Sequence, residues 1–426
     1  MWKILIRNTF KYEPISLIAC ALKNVNMTAD VIMLGEYYFP NNIGGAEVQA
    51  KRRAEGLVKT GLSVTVLSFD SKGGKREEII NGVKVIRYDL ITHAAKMLSL
   101  SLPVVQALRK NEKETSLYHI YNVHPLAGGG LYRMTGGRNP IIATLENFGG
   151  YCPTSTAIYK KCDLFCRYSC LSDFSRSTGE KVLSMPYAGI YPLLTSLTKK
   201  VDKYIAVTEH VRQEYIKHGY NEDRIIVIPN SIDIDKIGNG VKTSHEGRNI
   251  LYVGRMIAPK GVDILIRAFH KASRHYDDLR LILVGDGQEL NQYRSLIKDL
   301  GIESKVIITG FVIEDALWYY YSIADLFVYP SIAGFEAFGI TLLEAMRYHI
   351  PCVVPDTGGG KEVIKDAGIT FKDRDEEDLM KKMTMILNDN QKLLALSARC
   401  KDVLSEYSDE KVVKSLVKIY DDVRKN

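Results

Sequence analysis

Two glutamates eight positions apart, Glu336 and Glu344, have the residue type and spacing to handle a polyhydroxylated ligand. They lie in SIAGFEAFGITLLEAM, where a glycine-containing turn leads into a helix expected from near Gly339. A carboxylate such as Glu344 can accept two hydrogen bonds from the neighbouring hydroxyls of a ribose. The N–H groups of Phe338, Gly339 and Ile340 at the helix start can serve sugar hydroxyls or a phosphate. A solvated helix face explains Glu344 alone but not the whole set.

Two cations lie in the segment YVGRMIAPKG. Arg255 comes just after an expected strand and Lys260 just before an expected helix, so both are predicted at the carboxyl edge of a sheet. There they could neutralise a departing diphosphate, with each charge-assisted contact worth about 1.5–3 kcal/mol. The alternative is a pair of solvated cations beside a turn.

A glycine pair, Gly44-Gly45, opens the first expected helix. Unpaired N–H groups and the positive end of a helix favour an anion there, and the missing Cβ atoms allow a close approach to the backbone. A plain turn before a helix is the competing interpretation.

The elements that must position these residues follow a βαβ pattern. Short apolar runs alternate with helix-period segments, which predicts parallel strands joined by helices. The expected strands form two series: 31–35, 63–69, 84–88, 117–122, 141–145, 203–207 and 224–228, then 249–254, 279–285, 305–310, 326–330 and 351–355. The predicted fold is therefore α/β, with two doubly wound Rossmann-like parallel-sheet domains facing a central cleft that holds the ligand.

The same pattern suggests the domain boundaries. We expect an N-terminal domain over 27–233 and a C-terminal domain over 249–405. Residues 234–248 have a linker composition, and 406–426 are expected to form a helix that packs back on the N-terminal domain. Residues 1–26 look like an extension before a better start at Met27 and are left out of the fold prediction.

Composition and charge restrict the class of protein. No stretch approaches the roughly 20 apolar residues needed to span a bilayer, which predicts a soluble or peripheral protein. Residues 1–230 hold 30 Lys and Arg against 20 Asp and Glu, whereas the remainder hold 27 against 30. A basic half suits an anionic membrane surface or a phosphorylated substrate, although it can also serve solubility alone. Residues 93–110 are expected to be a surface helix broken at Pro103, or a membrane-contacting face.

The cysteines favour a reducing compartment. Seven cysteines, an odd number, fit the cytoplasm better than a disulfide framework. Four crowd together without the close pairs of ordinary zinc sites, which favours free thiols over a metal: Cys152, Cys162, Cys166 and Cys170.

An ordered set of motifs resembles the large retaining GT-B glycosyltransferase family that includes sucrose synthases and bacterial phosphatidylinositol mannosyltransferases. The resemblance covers about residues 30–420. Its motifs, in order, are Gly44-Gly45-Ala46-Glu47, PNSID, VGR with Lys260-Gly261, VGDG, ADLFVYPS, the two glutamates around EAFG, and Gly358-Gly359 with Glu362. Each motif is common, but the ordered set is specific.

The resemblance implies a role for each matching residue. Gly44 and Gly45 would contact the donor diphosphate or sugar, and Arg255 and Lys260 would bind the diphosphate. Glu336 would hold the donor sugar near its reacting centre. Residues 338–340 and Glu344 would complete the donor site.

The resemblance also implies the substrates and setting. The donor would be a nucleotide-diphosphate sugar, its hexose transferred with retention to a glycan or lipid-linked acceptor. Residues 249–405 would then be the nucleotide-sugar-binding domain and 27–233 the acceptor-side domain. Neither a metal nor a nucleic acid is expected, because cationic side chains and helix dipoles take the neutralising role. We expect a cytoplasmic enzyme of polysaccharide biosynthesis, with peripheral contact at the inner face of the membrane.

One position departs from the family pattern. Members often carry His-x-His at the end of the fourth strand, whereas here His119-Ile120-Tyr121 places a tyrosine at the second position. His124 is the candidate to take over its catalytic role, with a structural or solvated histidine as the alternative. Two rival functions remain: a nucleotide-sugar epimerase of the same fold, and a catalytically inactive glycan-binding relative.

Overall fold

The computed structural model of this 426-residue chain describes residues 29–41, 44–89, 96–155, 178–234, 242–332 and 336–425, with only the backbone for 178–185. The extension 1–26 and three of the clustered cysteines, Cys162, Cys166 and Cys170, lie outside the described residues. The described part forms two α/β domains, each built on a largely parallel sheet, which confirms the predicted fold class.

The N-terminal domain has an eight-stranded sheet in the order β3-β4-β2-β1-β5-β6-β7-β8. Its strands are β1 (Val31–Gly35), β2 (Val64–Ser71), β3 (Arg76–Ile80), β4 (Val83–Asp89), β5 (Tyr118–Ile120), β6 (Ile141–Leu145), β7 (Lys203–Ala206) and β8 (Ile225–Val227). Its helices are α1 (Gly45–Lys59), α2 (Lys96–Lys110), α3 (Leu126–Met134), α4 (Thr178–Thr198) and α5 (Glu209–Lys217). The central strands are buried, as expected for a sheet covered on both faces.

One edge of the N-terminal sheet carries an antiparallel strand that the sequence analysis did not predict. Strand β3 pairs antiparallel with β4 through a two-residue turn, Asn81-Gly82. Both turn residues have positive φ, 49° and 82°, as a tight hairpin requires. The strand was missed because REEII is mostly exposed and carries no core pattern, although the Asn-Gly pair is a hairpin signal.

The C-terminal domain has a six-stranded parallel sheet in the order β11-β10-β9-β12-β13-β14. Its strands are β9 (Arg248–Val253), β10 (Leu279–Val284), β11 (Val306–Gly310), β12 (Leu326–Val328), β13 (Cys352–Pro355) and β14 (Gly368–Phe371), the last not predicted. The helices are α6 (Val262–Ser273), α7 (Leu290–Asp299), α8 (Glu314–Ser322), α9 (Ile340–Arg347), α10 (Gly359–Ile364), α11 (Glu376–Leu387) and α12 (Asn390–Ser405).

Helix α2 continues through Pro103, so the expected break is wrong. A proline inside a helix removes one backbone hydrogen bond. Here, close packing on α3 offsets that loss, because a Cβ on Gly128 would lie only 2.6 Å from Val104 Cβ.

None of the helices that the structure describes combines the length and the apolar composition that a membrane-spanning helix needs.

The last helix, α13 (Asp409–Arg424), returns the chain to the N-terminal domain. Its apolar face joins the core around α1, where a Cβ on Gly56 would lie 2.4 Å from Val413 Cγ2. The chain passes between the domains twice, once after Ile232 and once before α13. These two segments are in contact, since Ile232 N donates to Tyr407 O at 2.9 Å.

His119 joins α13 to the sheet. Its Nδ1 lies 2.5 Å from the hydroxyl of Tyr420 and its Nε2 lies 2.7 Å from Oγ1 of Thr144. The ring is fully buried, and this burial, with the nearby charge of Arg53, lowers the pKa of His119 to about 3. This histidine is therefore structural.

We predict that His119→Gln destabilises the protein by about 1–3 kcal/mol at neutral pH, because it disrupts two buried hydrogen bonds. The folded state resists protonation of His119, so its contribution is complete above the ordinary pKa near 6.5 and declines as the pH falls towards 3. The difference in the free energy of unfolding between wild type and variant should therefore narrow by about 1.4 kcal/mol per pH unit below about pH 6. Urea unfolding of both proteins at pH 7.5 and at pH 5 measures this difference, with the exposed His275→Gln as the control. A difference that widened on acidification would contradict the assignment.

Candidate active site

The carboxyl edges of the two sheets face each other. A Cβ on Gly45, at the start of α1, would lie 2.5 Å from Cδ1 of Ile340, at the start of α9. Nearby, Oγ1 of Thr208, which follows β7, donates to the carbonyl of Ala337, which follows β12, at 2.9 Å. The N-termini of helices from both domains therefore meet at one cleft.

The predicted site segments leave the central strands of both sheets. Gly44-Gly45 follow β1 and His124 follows β5, which are neighbours in the N-terminal sheet. Arg255 and Lys260 follow β9, and Glu336 to Glu344 follow β12, which are neighbours in the C-terminal sheet. In each sheet these are the strands where the chain order reverses, the usual place for a ligand in a doubly wound fold.

Lys260, Tyr329 and Glu336 form a hydrogen-bonded cluster in the cleft. Lys260 Nζ lies 2.5 Å from Glu336 Oε2 and donates to the hydroxyl of Tyr329 at 2.7 Å. The Tyr329 hydroxyl also donates to the same carboxylate oxygen. The structure thus brings the predicted diphosphate-binding cation and the predicted sugar-binding carboxylate into direct contact.

A glycine puts Lys260 in this position. Lys260 ends a 3-10 turn, Ala258–Lys260, and Gly261 follows with a φ of 63°. A Cβ on Gly261 would lie 2.2 Å from the carbonyl oxygen of Pro330, a backbone atom of the loop after β12. Only glycine lets the two loops pack this closely, which holds Lys260 beside Glu336.

The Glu336 carboxyl is anionic in this setting. Burial by itself raises its pKa, but the charge of Lys260 and the hydrogen bonds from Lys260, Tyr329 and the backbone of Phe338 outweigh burial and lower the pKa. The N–H of Phe338 therefore serves Glu336, whereas the sequence suggested that it serves a ligand. The charges of Lys260 and Glu336 compensate each other within the cluster.

Helix α9 supplies the remaining predicted donor residues. Gly339 caps it with a φ of 90°, in the left-handed region that favours glycine. One and a half turns on, Glu344 accepts a hydrogen bond from the Tyr321 hydroxyl at 2.8 Å, and burial raises the pKa of Glu344. Between them, the hydroxyl of Thr341 is buried without a hydrogen-bond partner among the described residues.

Arg255 differs from Lys260 in its surroundings. Its side chain is exposed, and its carbonyl accepts a hydrogen bond from the buried Tyr252 hydroxyl at 2.9 Å. No described contact joins its guanidinium to the Lys260 cluster. The exposed Arg255 side chain, at the carboxyl end of β9, can change conformation to contact an anionic ligand, whereas Lys260 is held in place by its partners.

Both residues of the glycine pair, Gly44 and Gly45, already have partners within the protein. The N–H of Gly44 donates to Glu47 Oε2 at 2.9 Å, so this amide is not open to an anion. Glu47 also places a negative charge in the first turn of α1, where the positive end of the helix dipole stabilises it. Gly45 lies against Ile340, and its lack of a side chain allows this contact between domains.

The structure separates Tyr121 from His124. Tyr121 is fully buried, and its hydroxyl donates to the carbonyl of Tyr37 at 2.6 Å, so it packs the strand end. His124 Nδ1 instead lies 2.5 Å from Glu36 Oε2, and Lys96 binds the other oxygen of the same carboxylate. The histidine side chain remains 35% exposed while that of Glu36 is only 4% exposed.

Glu36 is a functional candidate that the sequence analysis missed. It directly follows β1, at the same sheet edge as Gly44. The available signal was a carboxylate immediately after a fully buried central strand. Tyr329 was missed for another reason: it reads as an apolar strand residue until its hydroxyl is placed between two charged groups.

Glu362 links the domains. Its two carboxylate oxygens accept from the N–H groups of Glu209 and His210, at 2.7 and 2.6 Å. These amides form the N-terminus of α5, whose positive end favours the carboxylate. This motif glutamate thus helps to hold the two domains together.

No group of three or more His, Cys, Asp or Glu is arranged to hold a metal ion in the part of the chain that the structure describes. Of the four clustered cysteines, only Cys152 is described, and its side chain is buried. The expectation of a metal-independent site remains a prediction.

The chain matches two known families that adjoin each other. Residues 43–236 match the family described as Glycosyltransferase Family 4, and residues 233–402 match Glycosyl transferases group 1. An uncharacterized glycosyltransferase from Methanocaldococcus jannaschii is 28% identical over 413 residues, 92% of this chain and 97% of that protein. The chain belongs to the GT-B glycosyltransferases. It is therefore an enzyme that transfers a sugar.

Solved GT-B glycosyltransferases share the fold at low identity. Sucrose-phosphate synthase from Thermosynechococcus elongatus has a TM-score of 0.69 at 17% identity, over 92% of this chain and 99% of that one. The Anabaena protein HepE, in its complex with UDP-glucose, has a TM-score of 0.65 at 19% identity over the same shares. These likenesses support the two-domain architecture of this glycosyltransferase.

Proposed function

We propose that this glycosyltransferase takes a hexose from a nucleotide-diphosphate sugar and transfers it, with retention, to a glycan or lipid-linked acceptor. The observation that carries the proposal is the Lys260–Tyr329–Glu336 cluster, where the loops after β9 and β12 meet at the cleft. A cation and a carboxylate in contact suit a ligand that carries both a diphosphate and hydroxyls. HepE, a structural relative, binds UDP-glucose, which supports the donor class.

The proposed step keeps the configuration of the sugar. The bond from the anomeric carbon to the phosphate oxygen breaks, and Lys260 and Arg255 stabilise the departing diphosphate. The acceptor oxygen then bonds to the anomeric carbon from the same side, and its proton passes to a phosphate oxygen of the donor. His124 contacts the reacting sugar from the N-terminal domain, and Glu336 and Glu344 hold the sugar and the ribose.

No carboxylate is assigned as a covalent nucleophile. Glu36 is a buried carboxylate on the N-terminal side of the cleft, but its oxygens bind Lys96 and His124. Burial by itself raises its pKa, yet those two partners outweigh burial and hold the pKa at about 2, which makes it a weak nucleophile. We therefore favour a short-lived ion pair over a covalent intermediate.

The experiment that tests this function starts from donor binding. A panel of UDP- and GDP-sugars is screened for a rise in melting temperature, since a specific ligand stabilises the folded state. The selected donor is then incubated with candidate acceptors, with and without EDTA. We expect transfer that survives EDTA and a product whose anomeric proton coupling matches that of the donor. Inversion of the coupling excludes retention.

The same assay separates the rival functions. An epimerase converts the donor sugar without any acceptor, and an inactive glycan-binding relative neither transfers nor hydrolyses it. Donor alone and acceptor alone are therefore run beside the complete reaction. Transfer only in the complete reaction supports the proposal.

A lipid-linked acceptor would bring the N-terminal domain to an anionic membrane. Helix α2 exposes Leu98 and Leu102 by 42% and 66%, on one face, and ends with Arg109 and Lys110. Exposed leucines beside cations suit the boundary of a lipid bilayer. This face is the proposed contact with the inner side of the membrane.

We predict that Leu98→Gln/Leu102→Gln abolishes binding to vesicles that contain phosphatidylglycerol, because two apolar anchors are lost together. Flotation with phosphatidylcholine vesicles, with and without phosphatidylglycerol, measures the binding. Leu394→Gln, 66% exposed on α12 of the other domain, is the matched control. Equal binding of all three proteins would refute this contact face.

A further inference from the structure

Glu36 forms a bridge at the N-terminal edge of the cleft. One carboxylate oxygen binds Lys96, the first residue of α2, and the other lies 2.5 Å from His124 Nδ1. The Lys96 ammonium also contacts Tyr37, at 3.3 Å from its hydroxyl. The carboxylate is nearly enclosed, while His124 remains partly open to the cleft. The arrangement joins a buried anion to the one catalytic candidate of the N-terminal domain.

We propose that Glu36 is the positioning residue of this transferase: it fixes the orientation and tautomer of His124, so that Nε2 faces the reacting sugar as an acceptor. The proposal rests on the proposed function, in which His124 contacts that sugar. Among the described residues, Nε2 of His124 has no partner, whereas Nδ1 is engaged by Glu36.

The tautomer follows from which groups can donate. Lys96 can only donate a hydrogen bond, and an ionised carboxylate can only accept. The low pKa of Glu36, about 2, keeps the carboxylate ionised at any working pH. A neutral His124 must therefore carry its proton on Nδ1, which leaves Nε2 to accept a hydrogen bond from a sugar hydroxyl.

In the part of the chain that the structure describes, Glu36 is the acceptor recorded at the His124 ring. Glu36 approaches from the end of β1, Lys96 from α2, and Tyr37 from the loop after β1. Of these, only Glu36 contacts the ring. A single substitution at Glu36 should therefore change which ring nitrogen of His124 carries the proton, while the ring itself stays in place.

Glu36→Gln tests the proposal by reversing the tautomer. Because Lys96 can only donate, the amide oxygen must face Lys96 and the NH2 group must face His124 Nδ1. Nδ1 then becomes an acceptor and the proton moves to Nε2. We expect kcat to fall about tenfold or more, with little change in the affinity for the donor.

A second substitution supplies a rescue that a purely structural role would not show. In Glu36→Gln/Lys96→Met the amide is free to turn its oxygen to His124, so the original tautomer returns and kcat recovers in part. Added to His124→Ala, Glu36→Gln should cost nothing further, since the group it positions is absent. A double variant as slow as or slower than Glu36→Gln, or additive losses with His124→Ala, overturns the proposal.

The ring can also be observed directly, without turnover. In protein labelled with ¹⁵N at histidine, the two ring nitrogens report the tautomer, and His124→Gln identifies the signal. We expect a protonated Nδ1 in the wild type, and a proton on Nε2 overturns the proposal even where Glu36→Gln does not fold. If wild type transfers no sugar to any acceptor, the proposed function fails, whereas the tautomer is still decided by this measurement.

Discussion

We expect Lys260→Met to lower the rate of sugar transfer by about 100-fold or more, because in the proposed mechanism it removes the charge that stabilises the departing diphosphate. Methionine keeps most of the side-chain volume at a position that is only 8% exposed, so the loss reports charge rather than packing. The substitution also strips Glu336 of its ion-pair partner, and burial then raises the Glu336 pKa.

The measurement is steady-state turnover with the donor selected by the melting-temperature screen, together with the melting temperature of the variant itself. Lys298→Met is the matched control, since Lys298 is an exposed lysine on α7 of the same domain. We expect the control to keep wild-type turnover. A Lys260→Met enzyme within a few-fold of wild type would remove Lys260 from the proposed mechanism.

Gly359→Ala is the second large effect that we expect. A Cβ at this position would lie 2.0 Å from the carbonyl oxygen of Ala337 and 3.1 Å from the amide nitrogen of Phe338. Both are backbone atoms of the segment that holds Glu336, and Gly359 N itself donates to the carbonyl of Glu336 at 3.2 Å. Because no side chain can swing away, the segment must move, which costs about 1–3 kcal/mol of stability.

The neighbouring glycine gives an unusually close control. Gly360 lies beside Gly359 in helix α10. A Cβ on Gly360 would lie 3.4 Å from Leu342 Cδ1, which is an ordinary contact. An alanine in a helix is favoured over glycine by about 0.5–1 kcal/mol, so Gly360→Ala should be neutral or slightly stabilising. Opposite shifts in melting temperature, with transfer lost only in Gly359→Ala, are the expected result. Equal behaviour of the two variants would contradict the steric argument.

The site depends on four loops that leave the two central strands of each sheet. Two of them, after β9 and β12, are held together by the contact of Gly261 with Pro330 and by the Lys260–Glu336 pair. The other two, after β1 and β5, are joined by Glu36 and His124. Each domain therefore organises its own half of the cleft, and the contact of Gly45 with Ile340 sets how closely the halves approach.

Two features that the sequence suggested as open to ligand are satisfied within the protein. The Gly44 amide binds Glu47, and the Phe338 amide stabilises Glu336. Counting unpaired N–H groups at a helix start does not reveal these bonds, because a carboxylate three residues on, or from a preceding loop, can fill the same position. The contact of Glu362 with the N-terminus of α5 could not be predicted from the motif that contains Glu362 either, since its partners belong to the other domain.

The sequence by itself determined the two doubly wound sheets and the segments that border the cleft. Strands such as VIMLG and NILYVG are short apolar runs whose burial follows from their composition, and the parallel βαβ pattern puts every following loop at one edge. Lys260, Glu336 and His124 could be named because they lie in the segments between such strands and the next helices, within motifs that match the family pattern. These are local properties of the chain.

Only the tertiary structure decided which of these groups touch one another. Lys260 and Glu336 are separated by 76 positions, and Glu36 and His124 by 88, so no local pattern encodes their contact. Tyr121 and His124 are three positions apart, yet one is buried against Tyr37 and the other borders the cleft. A side chain's role here is set by what the fold packs against it, because burial and partners, rather than residue type, fix its charge and its free hydrogen-bonding atoms.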